Sequence, residues 1–332
     1  MKDGAFGRLR ASLSGAASIA SGSSREASLV VACLVATTVF TLASPWFLTI
    51  ENLATVAQAS VDLLIVSLGM TIVLAVGGID LTVGVTMAIA SFFVGKALMI
   101  AVPAPLAAFL GPLVGLFLGA VTALTIVVGS VPPIVATLGL YGVFRATMYA
   151  LLGGEWLSGL PNVFAPLVRP TVLGIPVVAF ELAGLYALAW GVFRWTPLGV
   201  WWLAIGGNDE ASQLAGVPVR RAKAIAYLAS GLLAGISGAF YVAQYRNVEM
   251  TTGSTIALDA IVAAVLGGAS VTGGRVSVLG TALGVILFRI LQNGFVLIGV
   301  PSLWEQVVAG MLLLGVLAME NAARLRALAI GR

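Results

Sequence analysis

Residues 62–102 read DLLIVSLGMTIVLAVGGIDLTVGVTMAIASFFVGKALMIAV, with only three charged side chains, Asp62, Asp80 and Lys96. On either side of the octet Gly77-Gly78-Ile79-Asp80-Leu81-Thr82-Val83-Gly84 stands an apolar run long enough, at ~20 residues, to cross a hydrocarbon layer ~30 Å thick. Inside such a layer every backbone polar group needs a partner within the protein, so each run reads as a helix. The octet between them reads as a broken or re-entrant element, which survives at that depth only where protein or a water-filled cavity covers it.

The same texture extends in both directions. Ten spans are expected, at about 27–44, 53–76, 81–101, 105–128, 132–152, 172–193, 222–244, 257–271, 276–297 and 302–319. The predicted fold class is therefore an all-α integral membrane protein of about ten transmembrane helices, with short broken segments and two pseudo-related halves. Residues 1–26, polar and Gly/Ser-rich, are expected to form a flexible cytoplasmic tail; 27–320 one transmembrane domain with a long inner loop at 194–222; and 321–332 a second cytoplasmic tail. The first run is short and follows Arg8, Arg10 and Arg25, but Pro45 directly after Ser44 spoils a small-residue cleavage site. A retained helix fits better than a removed signal.

Composition excludes several classes of function. The chain of 332 residues is 60% hydrophobic and 9% charged, outside the range of soluble domains. It contains no histidine, which removes His-based acid/base catalysis, Ser-His and Cys-His nucleophile pairs and His-rich metal sites. Its one cysteine, Cys33, has no internal partner for a disulfide. The charge of +4 does not point to nucleic acid, because its placement follows membrane orientation. With the N-terminus inside, the inner segments hold Lys2, Arg8, Arg10, Arg25, Arg194, Arg220, Arg221, Lys223, Arg275, Arg324, Arg326 and Arg332, and the outer ones only Arg169 and Arg246. That asymmetry places both termini in the cytoplasm.

The inner loop carries the most information. After Thr196-Pro197, Asn208 or Asp209 is placed to cap a short helix through Glu210, Ala211, Ser212, Gln213 and Leu214; Gly216 ends it, and Pro218 prevents resumption. Such a helix presents small residues, Ala211, Ser212 and Ala215, beside the carboxylates of Asp209 and Glu210. A solvated connector is the alternative reading. Asp80 is read either as part of a translocation path near the glycines Gly78 and Gly84, or as a cap accepting from the N–H of Thr82 or Val83. Asp259 reads as the same device at the start of the eighth span. Thr55, Gln58 and Asp62 share a helix face that is costly against lipid, so it lines a path or bonds a neighbour. Arg145 and Glu181 are candidate mutual partners, and Arg289, Gln292 and Asn293 form a polar stretch suited to bonding between helices. The glycines 267, 268, 273 and 274 suit a tight inner turn ending at Arg275.

Four ordered blocks resemble one family: GGIDLTVG at 77–84, the segment around Asn208 to Val217, LDAIVAAVLGGASVTGGRVSVLGTALG at 258–284, and QNGFVLIGVPSLWEQVVAG at 292–310. Together they are similar to the permease subunits of ribose-type, simple-sugar ABC importers of bacteria. Three positions depart from that pattern: Ala309 stands where a basic residue is usual, Thr82 where serine is, and Val276 where glycine is. The resemblance implies a non-enzymatic permease in the bacterial inner membrane that pairs with a second copy, identical or paralogous. It further implies two cytoplasmic ABC ATPase domains and a periplasmic or lipid-anchored solute-binding protein. By it, Asn208, Asp209, Glu210, Ala211, Ser212, Leu214, Ala215, Gly216 and Val217 couple to the ATPase. ATP and magnesium then bind the partner, in keeping with the lack of any G-x-x-x-x-G-K-[ST] loop in this chain. Two rivals are a proton-coupled transporter using Asp62, Asp80 and Glu181 as a relay, and a branched-chain amino-acid permease, against which GGIDLTVG argues.

Overall fold

In a computed structural model the protein is described for residues 25–164, 171–172, 175–301 and, within 304–318, for 304, 306–312, 314, 315 and 318. The expected tails, 1–26 and 321–332, lie outside these residues except for Arg25 and Glu26, which open the first helix. Eleven helices follow in order: α1 (Arg25–Ala43), α2 (Ile50–Ala75), α3 (Val83–Met99), α4 (Ala104–Val127), α5 (Pro133–Leu152), α6 (Val177–Trp195), α7 (Pro197–Gly207), α8 (Asp209–Leu214), α9 (Val219–Tyr245), α10 (Ile256–Leu266) and α11 (Val278–Leu297). The described residues after Trp304 are also helical.

Seven of these, α1, α2, α4, α5, α6, α9 and α11, are long and apolar enough to span a membrane. The third and eighth expected spans are shorter: α3 has 17 residues and α10 has 11. At 1.5 Å per residue α10 is about 16 Å long, about half of a ~30 Å layer. The protein is thus a multi-pass helical membrane protein in which two elements are broken. The only strands among the described residues are a two-residue antiparallel pair, Thr171–Val172 with Ile175–Pro176, ahead of α6.

The centre of the bundle is α2, α3, α9 and α10. Leu63, Val66, Met70 and Leu74 of α2 pack with Met87 of α3 and Ala260 to Val265 of α10, all buried. Apolar attraction alone does not hold helices together in lipid, so close approach matters. Gly111, Gly115 and Gly119 of α4 meet Gly231 and Gly235 of α9 backbone to backbone, and a Cβ at any of the five would fall inside van der Waals distance. Helices α1, α5 and α6 lie outside this centre and show wide apolar faces, with Leu42, Leu138 and Leu188 exposed. The connection after α5 folds back onto the bundle: Leu157, Leu160 and Phe164 are buried, and Leu157 exchanges backbone hydrogen bonds with Val248.

Candidate functional site

The short helix α8 stands at one end of the bundle. Asn208 is its N-cap, accepting the N–H of Ala211 at 2.9 Å, and Gly216, at φ +83°, turns the chain out of it. Ser212 turns inward rather than outward: it is buried and donates its hydroxyl to the Asn208 carbonyl at 2.7 Å. The outward face is therefore Asp209, Glu210, Ala211, Gln213, Leu214 and Ala215, all exposed. Leu214 is 90% exposed, an apolar knob in a rim of carboxylates. Asp209 is held by an ion pair with Lys223 at the start of α9.

Ahead of α8 the inner loop contains a helix that sequence reasoning missed. Thr196-Pro197 starts α7, with Pro at the first position, and Leu198, Trp201, Trp202 and Ile205 supply its helical apolar spacing. Trp202 is buried and donates its indole N–H to the Ala222 carbonyl at 2.9 Å, which ties α7 to the base of α9. Thus α8 does not hang on a loose connector. It sits on an anchored stem.

That stem ends in a glycine junction. A Cβ on Gly206, in the last turn of α7, would collide with the Ala75 carbonyl oxygen and the Gly274 nitrogen. Gly273 sits against the α-carbons of Gly77 and Gly206. Gly77, Gly273 and Gly274 all have positive φ (75°, 91° and 76°), a conformation that L side chains rarely adopt. Three backbones meet here: the end of α7, the GGID break after α2, and the turn between α10 and α11. The turn is closed by the Ser270 N–H on the Arg275 carbonyl at 2.8 Å.

From Gly77 the GGID segment rises into the bundle. Asp80 is 1% exposed, and both its carboxylate oxygens are taken: Oδ1 accepts the Thr82 N–H (3.0 Å) and hydroxyl (2.6 Å), and Oδ2 accepts the Ser230 hydroxyl (3.0 Å). Asp80 thus closes a turn on Thr82, the N-cap residue of α3, and ties it to α9. Ser230 is the twelfth of the 27 residues of α9, about 17 Å along a helix of about 40 Å, so Asp80 and the start of α3 lie near mid-depth. There Gly84 of α3 presses on Gly253, ahead of α10, and a Cβ on either would strike the other's carbonyl oxygen. Gly78 sits against the Tyr227 hydroxyl with no room for a side chain. The irregular backbone of both breaks is therefore covered by protein, as the absence of water at that depth demands.

Asp259 does not cap α10. Thr255 is at that position, without a side-chain cap bond, and Asp259 stands one turn in. It lines a cavity of about 240 Å³ with Ser254, Thr255, Leu258, Gln306 and Gly310. The segment before α10 forms its own turns, Thr252 N–H to the Glu249 carbonyl and Ser254 N–H to the Thr251 carbonyl.

A second polar group lies on the same side of α2 as its first turns. Thr55 and Gln58 are exposed, while Asp62 is buried with its Oδ1 free of any hydrogen bond. Arg289 of α11 has its Nε buried without a hydrogen-bond partner, and its Nη1 donates to Gln292 at 2.8 Å. Asn293 and Asn52 exchange amide hydrogen bonds at 2.9 Å, so the polar stretch of α11 does bond between helices, at that one residue. Arg145 does not meet Glu181. It donates to the Thr252 carbonyl at 3.1 Å and lies over the Tyr149 ring, while Glu181 is exposed on α6, since the two side chains stand on helices that do not face one another.

No group of three or more His, Cys, Asp or Glu side chains that could hold a metal occurs among the described residues. Comparison with known proteins places the chain. Residues 52–317 match the family model described as branched-chain amino acid transport system / permease component. The autoinducer 2 import system permease protein of Enterobacter sp. (strain 638) is 33% identical over 301 residues, covering 90% of this chain and 88% of that protein. The ribose import permease protein of Bacillus subtilis (strain 168) is 36% identical over 252 residues (75% and 78%), and that of Escherichia coli (strain K12) 32% over 300 residues (89% and 94%). No solved structure matches the chain. A helical membrane bundle with two protein-covered breaks, matched over four fifths of its length, belongs to the family of membrane permease components of transport systems.

Proposed function

We propose that the chain is the permease subunit of an ATP-binding-cassette importer that admits a monosaccharide or sugar-like solute, delivered by an extracytoplasmic binding protein, to the cytoplasm. The observation that carries this reading is α8: a capped helix with an exposed apolar tip, on a stem whose last turn touches both the GGID break and the turn between α10 and α11. A separate ATPase grips Asn208 to Val217, and its closure moves α7. Through Gly206 the movement reaches the GGID segment and the turn before α11 together. ATP and magnesium belong to that ATPase, and a second permease copy completes the route. The basic residues at the α8 end, Arg194, Arg220, Arg221, Lys223 and Arg275, favour the cytoplasmic side for it, with both termini on the same side.

The solute route passes the mid-depth cavity at the start of α10 and the polar face of Gln58 and Asp62. Asp80, Gly78 and Gly84 shape this route without touching the solute, because Asp80 has its oxygens occupied and neither glycine has free space beside it. The sugar-like solute follows from the relatives, which import ribose or autoinducer 2. A proton relay through Asp62, Asp80 and Glu181 is disfavoured: no hydrogen-bonded chain joins them among the described residues.

The test is to replace Ala211 with tryptophan. ATPase co-purification and ribose uptake collapse while membrane insertion persists; unchanged uptake removes the coupling assignment.

A further inference from the structure

We infer that the cleft between α6 and α11 holds one aminophospholipid, its acyl chain in a dry groove and its headgroup between Arg194 and Glu26. The groove has a volume of about 450 Å³ and is bounded by Leu182, Ala183, Tyr186 and Ala187 of α6, with Ala282 and Ile286 of α11 opposite. Ala183 and Ala187 are one turn apart on an exposed face, and their small side chains make the groove deep. The polar atom of its floor is already satisfied: the Tyr186 hydroxyl donates to the Leu64 carbonyl at 2.9 Å. What remains is hydrocarbon surface shaped for a chain of methylenes.

The groove does not end blindly. At the α8 end it runs into a second cavity of about 200 Å³ that shares Trp190 and Leu279 with it and is lined also by Glu26, Arg194 and Ser277. From Leu182 to Arg194, α6 rises about 18 Å, the depth of one leaflet's hydrocarbon plus the start of its headgroups. Trp190 stands where the apolar and polar parts join, the level that suits an indole, and an edge-on contact with Trp195 at 5.0 Å steadies it.

The mouth selects the headgroup by charge. Arg194 is exposed and makes no ion pair among the described residues, and a guanidinium matches phosphate oxygens in a two-pronged fashion. Glu26 is positioned by the Ser277 hydroxyl, which donates to its Oε1 at 2.7 Å. A headgroup with phosphate alone leaves this carboxylate facing like charge, whereas a primary ammonium beside the phosphate satisfies both residues. The occupant is thus a zwitterionic aminophospholipid of the leaflet on the α8 side. This inference needs only the membrane placement of the chain and is independent of the solute or the ATPase.

The test uses the transporter purified in mild detergent and exposed to mixed micelles of palmitoyl-oleoyl phosphatidylethanolamine and phosphatidylglycerol at a 1:10 ratio, with bound lipid read by native mass spectrometry. The wild-type protein retains about one phosphatidylethanolamine per chain against that excess. Ala183→Trp, which fills the groove, abolishes retention; Arg194→Gln lowers it about 10-fold; Glu26→Gln removes the preference over phosphatidylglycerol. The two mouth variants alter only the rim, so they remain informative where Ala183→Trp fails to fold. No retained lipid, retention that Arg194→Gln and Glu26→Gln leave unchanged, or a wild-type preference for phosphatidylglycerol overturns the inference.

Discussion

The backbone N–H of Gly274 donates to the carbonyl oxygen of Ala75 across 3.2 Å, so the turn ahead of α11 is hydrogen-bonded to the last turn of α2. Gly206 of α7 is wedged against this bond, and no atom can be added to it without parting the two. Its neighbour Gly207 has open space where a side chain would go. The pair separates the junction's packing from any general effect of losing a glycine there. Gly206→Ala is expected to lower uptake per ATP hydrolysed at least 10-fold with the ATPase still bound, and Gly207→Ala to leave it within about 2-fold. Parallel uptake and hydrolysis assays in proteoliposomes check both; equal effects of the two substitutions contradict the junction.

The knot around Asp80 makes a stability prediction. Asp80→Ala leaves the Thr82 N–H and the Ser230 hydroxyl buried without an acceptor, a loss of about 3 kcal/mol, whereas Ser230→Ala removes one bond and costs about 1 kcal/mol. Asp80→Asn keeps an acceptor for Thr82 and is expected to fall between them. Thermal unfolding in detergent, followed by circular dichroism, ranks the three variants. A Ser230→Ala loss as large as that of Asp80→Ala contradicts the assignment.

Much of this was legible in the sequence. The apolar runs and their spacing marked every long helix, because the bilayer leaves the backbone so few solutions. The bond of Asp80 to the Thr82 N–H is legible because the spacing is local, but its tie to Ser230 spans 150 residues and has no local signal. The helix α7 reads as loop: its Thr-Pro start and apolar spacing are visible, yet at 11 residues it is shorter than a span and merges with the connection. Asp259 reads as a cap on position alone, whereas Thr255 stands at the N-cap of α10. The inward turn of Ser212 was equally hidden: composition marks it as small, and only the fold decides which way it faces.

Loss of the α8 cap is expected to matter through geometry. Asn208→Ala removes the bond to the Ala211 N–H, worth about 1 kcal/mol, while Asn208→Asp keeps an acceptor. Within this six-residue helix the other ties are the Asp209–Lys223 ion pair and the buried Ser212. Titration of purified ATPase against permease in nanodiscs is expected to show binding weakened about 5-fold for Asn208→Ala and near wild type for Asn208→Asp. Equal binding by all three proteins contradicts a role for the cap.

The polar face of α2 is expected to be wet. In a Cys33→Ser background, Gln58→Cys reacts with a membrane-impermeant cationic methanethiosulfonate at least 10-fold faster than Leu188→Cys, which lies on an exposed apolar face of α6. Mass spectrometry of the labelled protein gives both rates. Equal rates assign Gln58 to lipid or to a protein contact instead of the solute route.

Coupling to an ATPase depends on what touches the tip of α8. A photo-cross-linking amino acid at position 214, in place of the 90% exposed Leu214, is irradiated in inside-out vesicles that hold the assembled transporter. A covalent adduct with the ATPase subunit is expected, its yield changing with bound nucleotide. Uptake at the normal rate with no ATPase adduct at that position contradicts the coupling.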